Sequence, residues 1–162
     1  MKDGTMLALD LGTTTGWAVH RCGRVYSGTW KLVPPSRLEG GGMRYLRFEN
    51  QLLEMLKLCS ETRHPVTRVY FEEVERHAGT DAAHVYGGLV AILMKTLEEE
   101  KIPFAGLPVK TVKKLFAGNG NAGKELMIST AKSKYPDQQI ADDNQADALA
   151  ILATGIAQEG GE

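Results

Sequence analysis

The sequence predicts an α/β fold in which one mixed five-stranded sheet is flanked by helices. Three observations support this class. Three short apolar runs separated by Gly-containing turns come first, strand-like and helical patterns then alternate, and helical spacing dominates the C-terminal third. With 162 residues and 43% hydrophobic content, the chain is expected to form a single domain spanning residues 1–162.

The first part of the chain has the pattern of an antiparallel meander. Turn signals at 12–16 and 21–23 separate short apolar runs, and such spacing favours hairpin connections. Pro34, Pro35 and the glycines at 40–42 then break the pattern. The predicted strands lie at residues 6–11, 16–20 and 24–30.

The rest of the chain alternates between strands and helices. Apolar residues recur at helical spacing from Met43 to about Ser60, and Thr80 or Asp81 is expected to cap the next helix. Pro108 precedes a basic helical turn, and Pro136 ends the helix before the last one. The predicted elements are helix 43–60, strand 66–74, a helix from 80 or 81, strand 102–107, helix 109–116, helix 124–135 and a last helix from 142 or 143.

Acidic residues recur where the apolar runs end. Asp10 ends the first run and Glu72 ends the fourth, while Asp143 and Asp147 lie in the first turns of the last helix. Positions four apart share a helical face, so Asp143 and Asp147 can address one cation, whereas Asp142 points elsewhere. Adjacent strands lie about 4.8 Å apart, so Asp10 and Glu72 can share that cation if their strands are neighbours. An all-oxygen pocket of this kind favours a hard divalent cation and predicts metal-assisted phosphate chemistry.

Each acid also has a purely structural interpretation. Asp10 can bond nearby amides in a turn, and Glu72 can be an ordinary charged strand end. Asp142 or Asp143 can cap the last helix, where free amides and the helix dipole favour an acid. The same interpretation explains Asp147 poorly, because Asp147 lies beyond the first turn.

Basic residues cluster in one segment that is also rich in glycine. Lys113, Lys114 and Lys124 flank Gly118–Gly120, and this mixture of cations and flexible backbone suits contact with phosphates. A solvated helix face with a loop is the alternative. Arg76, shortly after the fourth strand, is a further candidate for nucleic-acid contact. The formal net charge of -1 excludes an overall basic field, so any nucleic-acid binding must come from local charge.

Composition and the N-terminal sequence exclude several other classes. Cys22 and Cys59 are the two cysteines, and they lack the spacing of a zinc site or a disulfide framework. The start of the sequence has no apolar signal core, and no run approaches the roughly 18 apolar residues of a membrane span. We therefore expect a cytoplasmic protein with no membrane partner.

Four sequence blocks, in order and at suitable separations, resemble the RuvC family of Holliday-junction resolvases, particularly its compact bacteriophage and bacterial forms. The blocks are Asp10-Leu11-Gly12 followed by Thr15-Gly16-Trp17-Ala18-Val19; Phe71-Glu72-Glu73-Val74; Val112-Lys113 with Gly118-Asn119-Gly120 and Lys124; and Asp143-Asn144-Gln145-Ala146-Asp147-Ala148-Leu149-Ala150. The resemblance implies an RNase H-like fold, two Mg²⁺ or Mn²⁺ ions, and a homodimer that nicks opposed strands of branched DNA. It also implies a role in DNA recombination or repair, in a bacterial cell or a phage-infected host.

The resemblance also implies roles for individual residues. Asp10, Glu72 and Asp147 match the metal-binding acids of the family, and Lys113 and Lys124 match its basic positions near the DNA backbone. Lys124 would offset phosphate charge during catalysis. Where the family pattern has an acid three residues before the last Asp, this chain has Asn144, and Asp143 looks like the substitute as fourth ligand.

Three alternatives remain open at the level of sequence. The segment 10–16 also resembles the phosphate-binding opening of actin-like ATPases and sugar kinases, which predicts a nucleotide-binding fragment. A RuvC-like nuclease that acts on RNA or another branched nucleic acid would carry the same acids. A non-catalytic junction-binding module would share the fold without the chemistry.

Overall fold

The computed structural model describes residues 4–33 and 40–160, which form five strands and five helices. In chain order the elements are β1 (Thr5–Asp10), β2 (Thr14–Arg21), β3 (Arg24–Lys31), α1 (Met43–Glu61), β4 (Val66–Glu73), α2 (Thr80–Glu99), β5 (Phe104–Pro108), α3 (Val109–Ala117), α4 (Lys124–Lys134) and α5 (Asp143–Glu159). The predicted break at Pro34 and Pro35 lies outside the described residues.

The five strands form one mixed sheet with the order β3-β2-β1-β4-β5. β1, β2 and β3 pair antiparallel, whereas β4 pairs parallel with both β1 and β5. The predicted meander and the predicted mixed sheet are therefore confirmed. Because β1 and β4 are parallel neighbours, their C-terminal ends lie side by side.

Helices cover both faces of this sheet, and alternate residues of each strand enter different cores. Leu9 and Phe71 point into a core that α1 and α2 complete. Ala8 and Tyr70 point to the other face, where α5 packs with α3 and α4. Residues 148–152 of α5 are all fully buried, which explains the continuous apolar run in that helix. No helix in the described part of the chain is long and apolar enough to cross a membrane.

The predicted start of α2 is confirmed, but its predicted cap and the predicted start of the fifth strand are wrong. Gly79 is the residue before α2 and no side chain caps this helix, so Thr80 and Asp81 lie inside its first turn. The fifth strand begins at Phe104 because the Ile102 amide donates to the Leu97 carbonyl, which keeps Ile102 tied to the end of α2.

Candidate active site

Two of the predicted site acids lie side by side at the ends of neighbouring strands. Leu9 of β1 pairs with Phe71 of β4, and Asp10 and Glu72 each follow one residue later. By strand alternation both acids point to the sheet face that carries Ala8. That face is covered by α5. The condition that the two strands must be neighbours is therefore met.

The start of α5 is held close to the sheet. The Asp142 side chain caps the helix, because its Oδ1 accepts a hydrogen bond from the Gln145 amide at 2.9 Å. Gly16 of β2 lies against the Asn144 carbonyl so tightly that a Cβ at this position would collide with it. This close approach brings the Asp147 face of α5 towards Asp10, while the Asp142 carboxylate caps the helix and has the smallest effect of the four acids that raise the pKa of Asp10.

Asp10, Glu72 and Asp147 form a partly buried acidic cluster. Burial, followed by the charges of Asp147 and Glu72, raises the pKa of Asp10 well above its ordinary value. Burial and the Asp147 charge raise the pKa of Glu72 to about 7, against an opposing effect of Lys113. Burial also raises the pKa of Asp147 to about 6. The three acids therefore repel one another in a pocket that water screens poorly.

Asp143 differs from these three acids because it is already paired. Its Oδ2 lies 2.6 Å from Lys124 Nζ, and this hydrogen bond lowers the pKa of Asp143. The side chain of Asp143 is 26% exposed and that of Lys124 is 79% exposed, so the pair lies at the solvent side of the cluster. Asp143 stays ionised at neutral pH, but its Oδ2 is already hydrogen-bonded to Lys124.

The predicted basic residues fall into two groups. Lys113 of α3 is half-buried and close enough to lower the pKa values of both Glu72 and Asp147. Lys114, the next residue of α3, is exposed to solvent. Arg76 lines a separate groove beside the end of β4, together with Lys110 and other residues.

The donor set fits a hard divalent cation by its chemistry. Asp10, Glu72 and Asp147 offer only carboxylate oxygens, which Mg²⁺ and Mn²⁺ prefer. A bound cation would relieve the mutual repulsion of these carboxylates. Within residues 4–33 and 40–160, no three acidic, histidine or cysteine side chains already surround a common point at ligand distance. The fit therefore lies in donor type and charge, not in a preformed cage.

Two polar residues support the site, although sequence analysis did not assign them to it. The Tyr86 hydroxyl donates to the Glu72 carbonyl at 2.7 Å and accepts from the Val74 amide at 3.1 Å. Buried Gln145 donates to Ser27 Oγ at 3.0 Å, which links α5 to β3. Tyr86 has no spacing that indicates this contact, whereas a polar Gln145 within an apolar helix is a weak signal for a buried hydrogen-bond network.

The strand order, the helices on both faces and the acids at the strand ends define an RNase H-like α/β domain, and comparisons with known proteins agree with this class. T. thermophilus RuvC in complex with a Holliday junction substrate superposes with a TM-score of 0.75 at 22% identity, over 97% of this chain and 96% of that one. The yeast mitochondrial Holliday junction resolvase Ydc2 superposes with a TM-score of 0.60 at 16% identity, over 98% of this chain and 80% of that one.

A sequence relative points to the same group. The crossover junction endodeoxyribonuclease RuvC of Wolbachia sp. subsp. Brugia malayi (strain TRS) is 25% identical over 151 residues, which cover 90% of each protein. No protein-family profile matches the chain. The chain is thus RuvC-like in fold and similar in sequence to a RuvC protein over most of its length.

Proposed function

We propose that this chain is a metal-dependent endonuclease that resolves four-way or otherwise branched DNA by paired nicking. The observation that carries the proposal is the convergence of Asp10, Glu72 and Asp147 on one sheet face, with their pKa values raised by burial and by one another. The relative from Wolbachia is a crossover junction endodeoxyribonuclease, and one structural neighbour is in complex with a Holliday junction substrate. Both support the same substrate class.

In this proposal Asp10, Glu72 and Asp147 hold two Mg²⁺ or Mn²⁺ ions, with Asp143 as an additional ligand. Such ions supply an activated water and stabilise the leaving oxygen of a phosphodiester. With pKa values of about 7 and about 6, Glu72 is about half ionised and Asp147 mostly ionised at neutral pH when no cation is bound. Lys124 lies at the solvent side of the pocket, where its ammonium can meet phosphate charge.

Lys113, Lys114, Lys124 and Arg76 are the proposed contacts to the DNA backbone. The side chain of Lys124 is 79% exposed and sits beside the acids, so a phosphate can reach both. A chain with one acid cluster makes one cut, whereas resolution of a four-way junction needs two. We therefore include a homodimer in the proposal. The proposed location is the cytoplasm of a bacterium or an infected host.

Cleavage of a labelled four-way DNA junction tests the proposal. Linear duplex and an RNA-containing branched substrate serve as comparisons, each with Mg²⁺, Mn²⁺ or chelator. We expect paired, metal-dependent nicks in the DNA junction only. Asp10→Asn should abolish cleavage and retain binding, because it removes a ligand and no basic contact. The matched control Asp137→Asn changes an exposed acid in a different groove and should cleave normally.

The other outcomes each select a different function. Junction binding without cleavage would favour a non-catalytic module. Preferential cleavage of the RNA-containing substrate would favour an RNA-processing nuclease. Absence of junction binding, combined with stabilisation by a nucleotide in thermal melting, would favour the nucleotide-binding alternative. Metal-dependent cleavage retained by Asp10→Asn would exclude the assigned site.

A further inference from the structure

The C-terminal end of β4 continues past its pairing with β1. The β1–β4 register ends at the pair Leu9–Phe71, so Glu72 lies one residue beyond it, and Val74 lies beyond the strand itself. This end of the strand carries one of the three clustered acids. On its other edge β4 still pairs with β5, through Glu72–Leu107 and Glu73–Pro108. The edge of β4 that faced β1 has no further β1 partner at residues 72–74, so its backbone groups need another one.

The hydroxyl of Tyr86, from α2, supplies that support. It donates to the Glu72 carbonyl at 2.7 Å and accepts from the Val74 amide at 3.1 Å. These two groups flank residue 73, so one hydroxyl bridges two successive peptide units. Rotation of either peptide would break a hydrogen bond, and rotation of the Glu72 peptide would redirect the Cα–Cβ bond that carries its carboxylate.

Tyr86 is itself held firmly. Its half-buried ring packs against the α1–α2 core, and the ring of His77 lies over it with a centroid distance of 4.8 Å. Burial raises the pKa of its hydroxyl, so the phenol keeps its proton at neutral pH and remains a donor to the Glu72 carbonyl. A tyrosine on a long helix is a rigid support because only two side-chain torsions need fixing.

We propose that Tyr86 is a positioning residue that aims the Glu72 carboxylate at the metal pocket through the backbone of residues 72–74. In this proposal Tyr86 acts through the backbone at Glu72 and is assigned no role as a metal ligand or DNA contact. This inference rests on the proposed metal-dependent function. Partners that orient a metal ligand in this way typically change metal affinity by about 10–100-fold when they are removed.

Tyr86→Phe tests the inference, and Tyr70→Phe is the matched control. Tyr70 lies on β4, the strand that carries Glu72, and its hydroxyl donates to Glu159 Oε1 at 2.8 Å. Tyr70→Phe therefore also removes a hydroxyl hydrogen bond, but not one to the backbone of Glu72. Three quantities are measured on the full chain: Mn²⁺ affinity by calorimetry, cleavage rate against Mg²⁺ concentration, and amide hydrogen exchange in a peptide that contains Val74.

For Tyr86→Phe we expect about 10-fold weaker Mn²⁺ binding, faster exchange at Val74, and cleavage that recovers as Mg²⁺ is raised. Junction affinity in chelator should be unchanged. Tyr70→Phe should match the wild type in all these measurements. Equal Mn²⁺ affinity in Tyr86→Phe and the wild type would overturn the inference, as would an equal loss in both variants, because that would indicate general loosening.

The calorimetric measurement separates this inference from the proposed function. If the wild type binds Mn²⁺ but cuts no junction, the nuclease proposal fails, and the difference in Mn²⁺ affinity still decides the role of Tyr86. If the wild type binds no Mn²⁺, both proposals are overturned.

Discussion

The partly buried acids Asp10, Glu72 and Asp147 should make the metal-free protein less stable as the pH rises. Glu72 has a pKa of about 7 in the folded chain, against an ordinary value of 4.5 that an unfolded chain would show. Between these two values the folded state keeps a proton that the unfolded state has lost. The free energy of unfolding must therefore fall across this window, with no penalty from Glu72 below pH 4.5 and the full penalty above pH 7.

The magnitude follows from the two pKa values of Glu72. They differ by about 2.5, and one pKa unit corresponds to about 1.4 kcal/mol, so ionisation of Glu72 should cost the fold roughly 3 to 4 kcal/mol. For a chain of this size that is a decrease in Tm of roughly 6 to 16 °C. Asp147 adds a loss of the same sign between its ordinary pKa of 3.8 and its folded value of about 6.

Thermal melting in chelator from pH 4.5 to pH 8 measures this effect. Glu72→Gln should make the decrease smaller by the share that comes from Glu72, because glutamine cannot ionise and its neutral side chain also relieves Asp147; the contributions of Asp10 and Asp147 remain. The exposed Glu54→Gln on α1 is the control and should follow the wild type. Saturating Mg²⁺ at pH 8 should restore wild-type stability, since a bound cation replaces the missing proton. Identical pH dependence of Glu72→Gln and the wild type would refute the reasoning.

Two further predictions concern the basic residues and the packing of α5. Lys113→Ala and Lys124→Ala should each weaken junction binding in chelator and reduce the slope of log affinity against log salt by about 1. The control Lys57→Ala on α1 should change neither the affinity nor the slope. Equal slopes in all three variants would exclude phosphate contact by Lys113 and Lys124. Gly16→Ala should cost about 2 kcal/mol or more in urea unfolding and lose cleavage, because its Cβ would collide with the backbone at the start of α5. Gly12→Ala should retain both, because its Cβ would meet the Thr14 carbonyl oxygen at 3.4 Å, an ordinary van der Waals contact. A fully active Gly16→Ala would contradict the role of the Gly16–Asn144 contact.

Local patterns were sufficient to predict most of the fold. Apolar runs and turn residues determine where strands form, and helical spacing determines α1 and α5. The error at the start of β5 arose where a backbone hydrogen bond, from the Ile102 amide to the end of α2, overrode residue preference. Asp10 and Glu72 were identifiable because each directly follows an apolar run, and spacing of four placed Asp143 and Asp147 on one helical face.

The sequence by itself determined which residues are buried, which acids end strands and which side of α5 is acidic, because these properties depend on neighbours within a few positions. Only the tertiary structure decided that β1 lies beside β4, that Lys124 pairs with Asp143, and that the Tyr86 hydroxyl holds the backbone at Glu72. Each of these contacts joins residues at least 14 positions apart. Periodicity in the sequence indicates which face of a helix or strand is buried, but not which other element that face packs against. Contacts of this kind are set by the packing of whole elements.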